Sequence, residues 1–352
     1  MKKLVIILIL LWFSSLIKSE TYELSIPPND TSTYEYADFK IWVNDSIDTL
    51  KGIYWFIHGF NGDSRQYVNE FNFQVMVSNN QFALMGVHLS NMHMHSGIGD
   101  AVLNFIDSIS IIANRPEITN IPLFINGLSW GGQFGYHFAK WSPEKVLALI
   151  SQKGGYHDTT TTNIAIDVPM LFFIGENDLQ YRIDNLTNIF LNHRPLGAKW
   201  ILAIEKNAAH EQIIDEQFLN TYFNEMVNIR LNSNSDFYQP IILNELTDST
   251  SWLGDYDSLD IDLWFCYLSN SDSSSWLVNR KIATLWRRFS SDEILVEYNN
   301  DINEDCQTNI DDIFFMADVL LEKTYNNLFL DYNQDSEINI FDLFYFIGKI
   351  SI

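Results

Sequence analysis

Between residues 39 and 230, short apolar runs alternate with helical stretches, and no other feature narrows the possible folds as far. The runs are Phe39–Val43, Gly52–Ile57, Phe82–His88, Ile121–Asn126, Val146–Ser151, Met170–Ile174 and Trp200–Ile204. Helical spacing falls between most of them, at about 64–78, 99–113, 130–141, 182–192 and 212–229. Strands that alternate with helices build βαβ units, and these make the strands parallel. Parallel strands covered on both faces are apolar along their whole length, as GIYWFI at 52–57 and MLFFIG at 170–175 are. The expected class is α/β, a mostly parallel sheet with helices on both faces.

One turn in this pattern has chemistry in it. Gly127-Leu128-Ser129-Trp130-Gly131 follows the fourth run and precedes an amphipathic stretch with Phe134, Phe138 and Trp141. Strand, sharp turn and helix around G-x-S-x-G place the serine in a strained backbone, and the flanking positions must then be small. The turn also sets Ser129 at a helix N-terminus, which favours negative charge. A serine hydroxyl needs a base to become a nucleophile. His210, in Asn207-Ala208-Ala209-His210-Glu211 after the last run, is the expected base. Asp178, in Gly175-Glu176-Asn177-Asp178 after the sixth run, is the expected carboxylate, with Glu176 in the same turn as its competitor. Ser129, Asp178 and His210 stand in the chain order of this kind of triad.

An oxyanion needs two donors. The N–H of Trp130 is one, and the loop His58-Gly59-Phe60-Asn61-Gly62 offers the other. Phe60 N–H is the expected second donor, with Gly59 and Asn61 as alternatives. His58 is expected to be a structural hydrogen-bonder. His88, His93 and His95 belong to a loop expected at the site's rim, and His137, His157 and His193 are not candidate bases. The chemistry requires no cofactor.

Residues 39–230 resemble an α/β-hydrolase of the secreted esterase and polyester-depolymerase type. His58-Gly59, Gly127 to Gly131, Asp178 and His210 carry that resemblance in order. It implies a serine esterase.

The end of the chain has a different pattern. Oxygen-bearing residues recur at Asp301, Asn303, Asp305, Gln307, Asn309 and Asp312, and again 30 residues on at Asp331, Asn333, Asp335, Glu337, Asn339 and Asp342. These are positions 1, 3, 5, 7, 9 and 12 of an EF-hand-type calcium loop, with a backbone carbonyl expected at position 7. An amphipathic helix follows each loop. The last 56 residues hold twelve acids against Lys323 and Lys349, a concentration that bound Ca2+ would explain. Position 6, commonly glycine, is Cys306 and Ser336. The duplicated loop and helix, with Asp at position 12, resembles a dockerin. That resemblance implies a small all-α module, two calcium sites and a cohesin-like protein partner. By analogy with such tethered enzymes, the substrate is expected to be an acetyl or feruloyl ester on a polysaccharide. Polyester or lipid hydrolysis, peptide hydrolysis, and a non-catalytic adhesion or scaffold role are the alternatives.

Residues 231–295 contain Trp252, Trp264, Trp276 and Trp286, with helical spacing over 275–289. They are expected to form a subdomain packed on the hydrolase, a carbohydrate-binding module being the alternative. Lys2 and Lys3 before the apolar run Leu4 to Phe13 and the serines at 14, 15 and 19 read as a secretory signal peptide over 1–19. The expected domains are thus a signal peptide at 1–19, a catalytic domain at 20–230, the tryptophan-bearing subdomain at 231–295 and the calcium module at 296–352. The protein is expected to be secreted, with no transmembrane span after cleavage. A net charge of −24 repels phosphate backbones, so nucleic acid is not an expected partner. Sequence leaves open whether Cys266 and Cys306, the only two cysteines, pair. Sequons stand at Asn29, Asn44 and Asn185.

Overall fold

The computed structural model describes residues 19–350 apart from 163, 214, 233, 292–298, 323–329 and 334–336. The expected signal peptide therefore lies outside the described residues except for Ser19, which opens a strand. Asp335 also falls outside. The chain divides into two compact units, residues 1–157 with 226–244 and residues 158–225 with 245–352.

The first unit contains β1 (Ser19–Ser25), β2 (Ala37–Asn44), β3 (Gly52–Ile57), α1 (Phe71–Asn79), β4 (Phe82–Leu89), α2 (Ile98–Ile112), β5 (Leu123–Leu128), α3 (Trp130–Trp141) and β6 (Val146–Gln152). Its strands run in the order β1-β2-β4-β3-β5-β6. β1 and β2 pair antiparallel, as do β2 and β4. The pairs β3/β4, β3/β5 and β5/β6 are parallel. β3, β5 and β6 are buried at every position, which is why their sequences show no alternation. The chain leaves β3 outward to β4 and then returns past it to β5. This reversal makes the C-terminal ends of β3 and β5 a switch point, where an open parallel sheet leaves a crevice. α3 packs on β5 and β6, and the edge of Trp55 on β3 meets the rings of Phe134 and Phe138 on α3. Asn44 is buried with its amide donating to Ser78, so that sequon offers no surface to a glycan.

The second unit contains β7 (Met170–Gly175), α4 (Gln180–His193) and β8 (Trp200–Glu205), with β7 and β8 parallel. α5 (Glu216–Arg230) begins in this unit. Next come β9 (Trp252–Gly254), β10 (Ile261–Leu263), β11 (Ser275–Leu277) and α6 (Arg280–Ser290). The three short strands form an antiparallel sheet in the order β10-β9-β11. The helix expected from 275 begins only at 280, because Asn279 caps it: its side chain accepts from the Ile282 amide at 3.0 Å. Ahead of the cap, Ser275–Leu277 is free to be a strand.

The 231–295 segment does a specific job at β8. An open strand edge leaves backbone groups without partners. Here Ser275 Oγ both donates to Leu202 O (3.2 Å) and accepts from Leu202 N (3.0 Å). Trp286 Nε1 also donates to Leu202 O, at 2.6 Å, and Ser290 Oγ accepts from Ile204 N at 3.2 Å. The guanidinium of Arg194 is buried and spends its donors on the carbonyls of Ser274, Ser271 and Ala198. Burial pulls its pKa down to about 10. Trp252, Trp276 and Trp286 are buried, while Trp264 is exposed, so three of the four rings serve packing.

The C-terminal residues include α7 (Ile310–Glu322) and α8 (Ile340–Lys349). Their core is Ile302, Met316, Leu330, Tyr332, Leu343, Phe346 and Ile350. Cys266 and Cys306 form a disulfide, with their Cα atoms 5.4 Å apart.

Candidate active site

Ser129 occupies the turn between β5 and α3 with φ 54° and ψ −119°. A non-glycine residue in this region is strained, and it stays there only if its surroundings leave no alternative. The flanking glycines show the constraint. A Cβ on Gly127 would lie 2.4 Å from the backbone of Gly131, and one on Gly131 would lie 2.4 Å from Ile57 O. The turn is also pinned by Ser129 N–H donating to Gln152 O on β6 at 2.7 Å.

The loop after β3 lies against this turn. A Cβ on Gly59 would come within 3.1 Å of Ser129 Cβ and 3.6 Å of its Oγ. Only a glycine lets the backbone at 59 approach the hydroxyl so closely. Gly62 N–H donates to Gly59 O at 2.9 Å and Asn61 sits at φ 54°, which closes the loop into a tight turn. The exposed ring of Phe60 stacks on Trp130 with centroids 4.9 Å apart and planes 13° apart. The two residues expected to donate to an oxyanion are therefore joined by their side chains. His58 Nδ1 is buried without a hydrogen-bond partner among the described residues, packed where Gly62 leaves room.

His93 meets Trp130 edge-on at 5.4 Å and stacks on His95, so this loop adjoins the turn. His88 instead stacks on Tyr36 and lies 3.6 Å from Asp38. His157 is buried, 3.1 Å from Ser151 Oγ, and His193 is buried against the carbonyls of Ile189 and Thr160.

In the second unit Asp178 and His210 meet. Asp178 Oδ2 lies 2.7 Å from His210 Nδ1. Asp178 Oδ1 accepts from Arg182 Nη1 at 2.8 Å and from the Leu179 amide at 2.7 Å. Burial pushes the Asp178 carboxyl up, but the bonds from His210, Arg182 and the Leu179 amide outweigh it and hold the group below its ordinary value. Glu176 lies elsewhere. Its carboxylate takes the Asn207 amide at 2.9 Å and Lys206 Nζ at 3.1 Å, and the Asn207 and Lys206 bonds hold it ionised below its ordinary value. Glu176 thus laces the loop after β7 to the loop after β8. Glu176 N–H to Glu205 O and Asn177 N–H to Ala208 O complete the lacing. Gly175 is required here, since a Cβ on it would lie 2.1 Å from Ala209 O. Arg182 is the residue that sequence reasoning missed. Its one signal is its place four residues after Asp178, one helical turn on.

The first acidic loop is wrapped around its carboxylates. Asp301 accepts from the amides of Asp305 (3.0 Å) and Cys306 (2.8 Å). Asp312 accepts from the amides of Ile302 (2.7 Å), Asn303 (3.1 Å) and Asn309 (2.8 Å). Asn303 Oδ1 accepts from the Asp305 amide, and Asp305 Oδ1 accepts from the Gln307 amide. The second loop repeats the pattern where it is described: Asp342 accepts from the amides of Asn333 (3.2 Å) and Asn339 (2.8 Å). Asp331 is buried, and Glu337 lies beside Asn339. Burial raises the Asp301 carboxyl, and Asp312 and Asp305 raise it further against the amides that lower it. Oxygen donors gathered around the buried carboxylates Asp301 and Asp312, and again around Asp331 and Asp342, suit a hard cation, so the residues present fit Ca2+.

No family model matches the chain, and no curated protein does. Solved structures similar to part of it include an S-formylglutathione hydrolase from Staphylococcus aureus, 16% identical, with a TM-score of 0.44 over 60% of this chain and 100% of that one. A ferulic acid esterase is 10% identical, with a TM-score of 0.42 over 60% of this chain and 96% of its own. An esterase from Rhizomucor miehei is 11% identical, with a TM-score of 0.44 over 63% and 87%. Among the described residues no helix is long and apolar enough to cross a membrane.

Proposed function

We propose that the protein is a secreted serine hydrolase of the α/β-hydrolase type that cleaves carboxylic esters. Ser129 Oγ attacks the ester carbonyl and its proton passes to His210 Nε2. Asp178 holds His210 through Nδ1, fixes the tautomer and stabilises the imidazolium. The amides of Trp130 and Phe60 receive the oxyanion, and the helix α3 N-terminus adds favourable potential. Protonated His210 then gives its proton to the leaving alcohol, and water releases the acyl group by the same steps in reverse order of roles.

The observation that carries the reading is the Ser129 backbone, held at φ 54° between two glycines that admit no Cβ. A structural serine has no reason to be held in strain at a switch point. The Asp178–His210 bond at 2.7 Å is its chemical complement. The finer substrate is an acetyl or feruloyl ester on a polysaccharide, and the C-terminal module is a dockerin-like tether for a cohesin-like partner. Asp301, Asn303, Asp305, Gln307, Asn309 and Asp312 would hold one Ca2+, and Asp331, Asn333, Asp335, Glu337, Asn339 and Asp342 a second. The ion would supply positive charge that closes each loop, with no part in the ester chemistry.

The test is hydrolysis of 4-nitrophenyl acetate, 4-nitrophenyl octanoate, methyl ferulate and acetylated xylan by the parent and by Ser129→Ala. Activity that disappears in the variant supports the reading, and the ranking of esters selects the substrate. Equal rates for the two proteins would sink it.

A further inference from the structure

The first calcium loop departs from the usual pattern at position 6, where a glycine commonly makes the sharp turn. Cys306 fills that position at φ 69°. A side chain there is strained, so something must hold it. Its amide also has a task, donating to Asp301 Oδ2 at 2.8 Å and so orienting the carboxylate at position 1. Because φ is the torsion about the bond from this amide nitrogen to Cα, a position 6 relaxed to an ordinary negative φ could not keep the amide on Asp301 and also keep Gln307, at position 7, on its present path round the loop.

Cys306 is disulfide-bonded to Cys266, which comes just after β10. Cys266 is itself fixed, since it is buried and its amide donates to Leu263 O at 3.0 Å. The start of the loop is anchored to the same region. Arg280 Nη1 donates to Asp301 O at 2.8 Å and Arg280 Nη2 to Asn299 O at 2.6 Å. Asn299 Nδ2 donates to Ile261 O on β10 at 3.2 Å, and Asn299 Oδ1 accepts from the Asp301 amide at 2.8 Å. Positions 1 and 6 are thus both tied to the β10 region, one by hydrogen bonds and the other covalently. The distance between them across the loop mouth is set from outside the loop. The second loop has Ser336 at position 6, and the sequence contains no third cysteine to pair there.

We propose that the Cys266–Cys306 disulfide does for the first loop what glycine does elsewhere: it holds position 6 in the left-handed conformation and so preforms the calcium site. The inference rests on the calcium reading given above. Cys266 and Cys306 are positioning residues that act on the ion through Asp301. The first loop is then a redox-dependent calcium site and the second is not.

Calcium binding to the full chain, measured by isothermal titration calorimetry, tests this in four forms. The forms are the oxidised parent, the parent reduced by a dithiol, Cys266→Ser/Cys306→Ser, and Cys266→Ser/Cys306→Gly. Reduction breaks the S–S bond and leaves two protein thiols, the dithiol departing as its own disulfide. Circular dichroism checks that each form is folded. The reduced parent and the double serine variant should bind at one site roughly tenfold more weakly, with the other site unchanged. The glycine variant should return that site to within about threefold of the oxidised parent, since glycine adopts the left-handed turn without strain. Full affinity in the double serine variant overturns the inference. So does a glycine variant as weak as the serine one, because the disulfide would then act as a tether and not through the backbone of position 6. An oxidised parent that binds no calcium overturns the calcium reading itself.

Discussion

Replacing Asp178 by asparagine keeps the shape of the side chain and changes only which atoms accept. Asp178 Oδ1 receives two donors, Arg182 Nη1 at 2.8 Å and the Leu179 amide at 2.7 Å, while Oδ2 receives one, His210 Nδ1 at 2.7 Å. An asparagine has one oxygen and one NH2. Set toward Arg182 and Leu179, the NH2 would oppose two donors, one of them charged; set toward His210, it would oppose one. The amide therefore places its oxygen on Arg182 and its NH2 on His210. His210 Nδ1 must then accept, which moves the ring proton to Nε2, the atom that should take the proton of Ser129. The fold survives and the base is blocked. A serine triad with the wrong tautomer loses on the order of 10^4 in kcat, ~5 kcal/mol of barrier. The assay is kcat on the best ester of the panel at neutral pH, with circular dichroism to confirm folding. Glu176→Gln, which disturbs only the lacing to Lys206 and Asn207, should lose less than tenfold. An Asp178→Asn variant within tenfold of the parent, or a Glu176→Gln variant as damaged as it, would refute the assignment. Stability gives an independent reading. Asp178 is held below its ordinary 3.8, so its ionised form contributes stability that is fully present above that pH. This contribution fades as pH falls through the lower folded value. The asparagine variant should show no such loss from this site in that acid window.

The other expectations concern the scaffold. Gly131→Ala places a Cβ 2.4 Å from Ile57 O, a backbone atom that cannot swing away, so activity should be abolished and denaturant stability should fall by more than ~2 kcal/mol. A fully active Gly131→Ala enzyme would contradict the described turn. Ser275→Ala removes both bonds to Leu202 and leaves a buried amide unpaired, at a cost of about 1–3 kcal/mol in urea unfolding with little change in kcat. An unaltered unfolding midpoint would mean that β8 does not depend on this plug.

The parallel strands were legible because burial on both faces writes them as apolar runs. All seven expected runs, from Phe39–Val43 to Trp200–Ile204, overlap the observed strands β2 to β8. β1 was not legible: it is mostly exposed and, among the described residues, pairs only with β2, so SETYELS has no apolar run. β9, β10 and β11 are three residues each, too short for periodicity to register. Asp178 and His210 could be placed by their positions after β7 and β8. Sequence preferred Asp178 but kept Glu176 as its competitor, since both follow β7, and it is Glu176 that Lys206 and the Asn207 amide take up. Arg182 was hidden because a salt-bridging arginine one turn into a helix looks like any other surface charge.

The cysteine pair is the clearest case of information that sequence holds only in part. Cys306 stands at a position where glycine is expected, and that oddity is visible in the letters. What relieves it lies 40 residues away, at Cys266, beyond a hairpin-like run of short strands that no pattern announces. The same region covers the edge of β8 through Ser275, Trp286 and Ser290, and grips the loop mouth through Arg280 and Ile261. Its buried tryptophans follow from that double duty. A small sheet of three-residue strands has little backbone bonding of its own, so large rings must supply the contact that fixes it. Without them neither the strand edge nor the loop would have a rigid surface to be held against.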